Sequence, residues 1–185
     1  MALPATFAVI VALLLPASTL AHNFTEGARV APVGIAENGE LQFSQGKLHY
    51  TRWNSAQLTG KVRALLHIAG RLSAKDLNLA LTDAIATARL PADRYQTITI
   101  VNTDDAIPGS AIFVRRAIES SKKTAPESQF VIDSKGEAKR VWALAAGSSA
   151  VVVLDAEGRV RFAREGALTS AEVQQVIALL NRLLQ

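Results

Sequence analysis

The chain has 185 residues, no cysteine and a formal charge of +4, from 20 basic and 16 acidic side chains. Without a thiol it cannot run dithiol–disulfide exchange or peroxidatic cysteine chemistry, nor hold an iron–sulfur cluster or a cysteine-ligated zinc. With 49% apolar and 19% charged residues the composition is that of an ordinary globular domain, and so small a positive surplus is compatible with an anionic partner without indicating one.

Residues 1–21 read as an export signal. Phe7 to Leu15 is an unbroken apolar run, Pro16 breaks it, and Thr19-Leu20-Ala21 offers small residues where a signal peptidase needs them. The run is too short for a membrane-spanning helix. Its one departure from the pattern is the lack of Lys or Arg before the apolar stretch. The expectation is cleavage after Ala21 and a periplasmic chain beginning at His22, with no membrane span after processing. Residues 22–185 carry no repeat or long linker and are expected to form one domain, large enough to bury a core without disulfides.

Short extended pieces come first: Val30–Val33, Leu41–Phe43 and His49–Trp53. Lys61–Ala69 is an apolar run of strand length ended by Gly70. Ser73-x-x-Asp76 has the form of a capping box, with Asp for the usual Glu. It predicts a helix in which Leu77, Leu81, Ala84, Ile85 and Ala88 share a face and which Pro91 stops. Gln96–Val101 is rich in β-branched residues and predicts a buried strand. A second helix is expected over Gly109–Ala125, with Phe113, Val114, Ala117 and Ile118 inward. A strand follows at Gln129–Asp133, then the turn Ser134-Lys-Gly136. Ala150–Asp155 and Arg159–Ala163 make a hairpin across Ala156-Glu-Gly158. Thr169-Ser-Ala-Glu172 is a full capping box, opening a helix with Val173, Val176, Ile177, Leu180 and Leu184 on one face.

Alternating strands and helices followed by a hairpin argue an α/β fold. Its mixed sheet would be flanked by helices in three layers, with an amino-terminal β extension. That succession is the thioredoxin-like arrangement.

From Leu58 onward the chain resembles exported thioredoxin-like proteins of the kind related to peroxiredoxins. The lead Leu58-Thr-Gly-Lys61 and the hairpin turn Asp155-Ala-Glu-Gly158 match theirs. Counting forward from that lead, Leu72 and Lys75 stand where the two redox cysteines would sit. No proline stands at Ser149 or Ala150, where the cis-proline would fall. Losing both parts of a redox site implies a different task. A closer resemblance covers nearly the whole chain. His22-Asn-Phe24, Trp53-Asn-Ser-Ala-Gln-Leu58, His67-Ile-Ala-Gly-Arg71, Tyr95-Gln-Thr97, Ile100–Gly109 and Val151–Asp155 are similar to the YtfJ family. The resemblance implies a small exported bacterial protein of thioredoxin-like fold, and it carries no active site to transfer.

In open parallel sheets ligands bind beyond the carboxyl ends of the strands. Two segments converge there, His67–Lys75 and Asn102–Gly109. The candidate ligand-binding residues are therefore Arg71, Ser73, Lys75, Asp104, Asp105 and Ser149. An anion would sit on the helix start at Ser73 with Arg71 as a bidentate clamp. The plainer reading has Arg71 paired with Asp104 or Asp105 and Ser73 merely capping. Neighbouring strand-end residues point different ways, which argues against joint work by the two aspartates.

No resident cofactor is expected. The alternative is copper, held by the amine and ring of a mature amino-terminal His22 with His67 or His49 as the second imidazole. Arg115-Arg116 and Lys122-Lys123 read as a solvated basic helix face, and nucleic acid would clash with export. No serine elbow, phosphate loop or dinucleotide fingerprint occurs. The leading expectation is a binding protein without thiol chemistry whose partner is an envelope protein, a peptide segment or a small anion. A cysteine-free enzyme using Arg71, Lys75 and Asp104 is the further alternative.

Overall fold

A computed structural model describes residues 22–185, so the expected export signal and its cleavage after Ala21 lie outside the described residues. Among the described residues the strands are β1 (Gly34–Ser44), β2 (Lys47–Asn54), β3 (Val62–Ala69), β4 (Tyr95–Asn102), β5 (Gln129–Asp133), β6 (Ser149–Leu154) and β7 (Val160–Glu165). They form one sheet in the order β2-β1-β5-β4-β3-β6-β7. β3, β4 and β5 are parallel, and the flanking pairs are antiparallel. The helices are α1 (Leu72–Asp76), α2 (Leu79–Ala88), α3 (Ala111–Thr124), α4 (Glu137–Val141) and α5 (Ser170–Leu183).

β3 is apolar almost throughout because both of its faces are covered. On one face Leu65, Ile100 and Val152 pack against Trp53, Trp142 and the amino-terminal Phe24 and Val33. On the other, Leu66 and Val151 meet Leu81 of α2 and Val176 and Leu180 of α5. Ile118 of α3 joins that second face further along, against Leu41, Val101 and Ile132. β1 can serve both layers because it is irregular: its register against β2 shifts between Ile35 and Glu40. Gly39 sits in that kink with φ +69°, and a Cβ there would come within 2.3 Å of the Thr51 carbonyl.

Six expectations need correction. The helix from Ser73 to Pro91 is two helices, broken at Leu77–Asn78. The Ser73 box is not formed: Arg71 holds the cap position and no side chain caps α1. Asn78, with non-helical φ/ψ, is the reason for the break. Its buried amide donates to Ser149 Oγ at 3.2 Å and to the Gly166 carbonyl at 3.1 Å, and accepts from Leu168 N–H at 3.0 Å. Those three bonds tie the helix to β6 and to the approach to α5, and they outweigh one turn of helix continuity.

Val30–Val33 is not a strand, and the extended segment starts at Gly34. Phe113 and Ala117 point outward, leaving Val114 and Ile118 as the packed residues of α3. Lys122 is turned inward, its ammonium donating to the carbonyls of Pro126 and Ser128, both at 2.7 Å, so the basic face of α3 is smaller than its sequence implies. α4 was not expected at all. Buried Asp133 creates it by accepting from the N–H of Glu137 at 2.9 Å and of Ala138 at 2.8 Å.

Candidate functional site

The carboxyl ends of β3, β4 and β5 meet the amino end of β6, placing Ala69, Asn102, Asp133 and Ser149 at one edge. Gly70 fastens the first two loops together, donating to the Asn102 carbonyl at 2.8 Å. A Cβ at Gly70 would lie 3.0 Å from that oxygen and 3.1 Å from Ala106 Cβ, so a larger residue would push the loops apart.

Asp105 is the hub of this end. Its buried carboxylate accepts from Gly147 N–H at 2.6 Å and lies 3.6 Å from the Lys139 ammonium and 3.8 Å from the Arg71 guanidinium. Arg71 Nε donates to the Asp105 carbonyl at 2.7 Å. Asp104 instead faces solvent, with its N–H capped by the Asn102 side chain. Arg71 and Asp105 are thus brought together, as the plainer reading expected. The guanidinium that would clamp an anion is already engaged.

The other candidates scatter. Ser73 lies inside α1. Lys75 lines a groove between α2 and the segment that follows α3. Ser149 is buried and bonded to Asn78. His22 packs on Phe24 at a ring separation of 5.1 Å, and Phe24 on Trp142 at 5.6 Å. Among the described residues no group of three or more His, Cys, Asp or Glu side chains is placed to hold a metal.

His67 is 3% exposed, on the same sheet face as Trp142. Burial pushes its pKa down to about 4; Lys139 adds to the shift and Asp105 opposes it. The imidazole is neutral at ordinary pH. Its Nε2 is buried without a partner, and so is Nδ2 of Asn102 on the adjacent strand. The residues that sequence reasoning missed are Asn78, Asn102, Asp133, Lys139 and Gly147. Only Asp133, just before the Ser134-Lys-Gly136 turn, carried a local signal.

Beside this internally paired centre several large apolar side chains stand exposed. Leu72 at the start of α1 is 78% exposed and Ile107, in the loop after β4, 58%. Ile112 and Phe113, in the first turn of α3, are 54% and 67% exposed. The arrangement offers no activated nucleophile, but it offers contact area.

The fold defines a thioredoxin-like protein, with a mixed seven-stranded sheet flanked by helices. Among solved structures the chain is similar to a putative protein disulfide isomerase from Bacteroides thetaiotaomicron, at 17% identity and a TM-score of 0.59, covering 88% of this chain and 92% of that one. It is also similar to a putative thiol:disulfide interchange protein DsbE from Chlorobium tepidum, at 17% identity and a TM-score of 0.52, covering 83% and 98%. At that identity the likeness is of fold alone.

Residues 24–183 match the family described as bacterial protein of unknown function, YtfJ_HI0045, and the chain belongs to it. It is 59% identical over 173 residues to the uncharacterized protein YtfJ of Escherichia coli strain K12, covering 94% of each. It is 39% identical over 176 residues to an uncharacterized protein of Haemophilus influenzae, covering 95% of this chain and 96% of that one.

Proposed function

We propose that this chain is exported to the periplasm, has no thiol redox activity, and binds a segment of another envelope protein at the carboxyl end of its sheet. The supporting observation is the apolar rim. Leu72, Ile107, Ile112 and Phe113 are each more than half exposed at the end of the fold where Asp105 satisfies the charges internally. Exposed apolar clusters of this kind mark interaction surfaces. The engagement of Arg71 by Asp105 favours a peptide segment over a small anion as the occupant.

A photo-crosslinking residue placed at Leu72 or Phe113 of the exported protein should trap a discrete protein partner. The same probe at exposed Gln174 on α5 should not. Equal trapping at all three positions, or none at any, would overturn the binding reading. Intact mass of the exported protein should show His22 first. The purified protein should reduce insulin no faster than buffer.

A further inference from the structure

The second face of the sheet is not fully covered. α2 and α5 pack over β3 and β6, and α3 over β1 and β5. Between α2 and the segment that follows α3, at Ala125, Glu127 and Ser128, the middle of β4, the central strand, looks into a groove of about 670 Å³. Its floor is Leu66, Ile68, Thr99 and Phe130, and Leu79 and Ile85 of α2 form one wall. A parallel sheet normally has both faces buried, so half-buried threonines on its central strand mark missing cover. The volume lies within the ~300–1,000 Å³ of small-molecule pockets. The floor from Tyr95 to Thr99 runs about 13 Å at the usual strand rise.

The rim is charged, and unevenly. Lys61, Lys75 and Arg89 line it against the single carboxylate of Glu127. Among the described residues Lys75 and Arg89 make no ion pair. Lys61 donates to the Ala92 carbonyl at 2.7 Å, which leaves two of its protons free. Lys61 immediately precedes the amino end of β3, and Arg89 closes α2 in the left-handed conformation at φ 48°; both line the groove. An apolar trough with cations at its mouth is complementary to one chemical class.

We propose that this groove binds a single-chain amphipathic anion, an acyl carboxylate of medium chain length, with its tail along β4 and its carboxylate at Arg89 and Lys61. The site is separate from the apolar rim at the carboxyl end, so either proposal can fail without the other.

Titration calorimetry of the mature protein with dodecanoate, below its micelle concentration, tests this. Dodecanoate should bind with one-to-one stoichiometry and weaken as salt rises, because exposed charges are screened. Arg89→Glu should weaken it at least tenfold, and Lys75→Glu, at the far end, by less. Leu79→Trp narrows the groove from a helix position that is 44% exposed, so the fold should tolerate it while affinity falls at least tenfold. Acetate should not bind, and dodecanol should bind at least tenfold more weakly than dodecanoate. Absence of dodecanoate binding, indifference to Leu79→Trp, or dodecanol matching dodecanoate would each overturn the proposal. Unchanged affinity in folded Arg89→Glu would overturn the placement of the carboxylate.

Discussion

Two helix starts in this molecule carry nearly the same sequence pattern and are held in opposite ways. At α5 the box closes locally: Thr169 Oγ1 accepts from Glu172 N–H at 3.2 Å, and Glu172 accepts from Thr169 N–H at 2.8 Å. At α1 the pattern Ser73-x-x-Asp76 is present and unused. An Asp is one methylene shorter than Glu, and Ser73 lies two residues too deep, behind a cap position held by Arg71. The start of α1 is instead fixed from outside by Arg71 on Asp105, and its end by Asn78 on the approach to α5. A capping pattern therefore states what a segment can do alone, and tertiary partners decide whether it does.

The largest way to break this contrast is to remove the outside support. Asp105→Ala strips Gly147, Lys139 and Arg71 of their shared acceptor. Losing the charged hydrogen bond to Gly147 N–H and two partly exposed ion pairs should cost about 2–4 kcal/mol. Urea unfolding should show that loss. A change under 1 kcal/mol would mean the carboxyl end of the sheet is held by apolar packing and not by its charges.

Next in size is a pH effect at the same end. The folded pKa of His67, about 4, lies below the ordinary histidine value of 6.5. Between those values the unfolded chain binds more protons than the folded one, so this contribution is complete above pH 6.5 and is lost as pH falls toward 4. The loss should reach about 3 kcal/mol. His67→Leu should flatten that part of the stability profile. An unchanged profile would show that other groups carry the acid sensitivity.

Asn78→Ala leaves Leu168 N–H and the Gly166 carbonyl without their partner and should cost about 2 kcal/mol. Hydrogen exchange should report it at the loop before α5 as well as in the helix pair. Thr169→Ala removes a local cap and should cost about 1 kcal/mol, confined to α5. Ser73→Ala should stay within about 0.5 kcal/mol. A Ser73 effect equal to that of Thr169 would erase the contrast between the two starts.

Most of the fold was legible in the sequence because its signals are short-range. The run Lys61–Ala69, the β-branched Gln96–Val101 and the Thr169 box each specify an element through residues within one or two turns of one another, and the strands and helix form there. The hairpin was legible for the same reason: Asp155 accepts from Glu157 and Arg159 N–H across its own turn, at 3.1 and 2.8 Å. The paired reading of Arg71 with Asp105 was also within reach, since both follow adjacent parallel strands.

Only the tertiary structure decided the rest. The break at Asn78 depends on Leu168, ninety positions away, and the role of Asp105 depends on Gly147, forty-two away. Helical periodicity assigns Phe113 to the core, but the face it occupies meets no neighbour, so it stands 67% exposed. Lys122 reads as a solvated charge, yet it is drawn inward by two carbonyls of the chain that follows it. Composition and periodicity record what each segment can bury or bond by itself. Which buried polar atom meets which, and which stretch of sheet is left open beside α2, is set when distant segments compete for the same space.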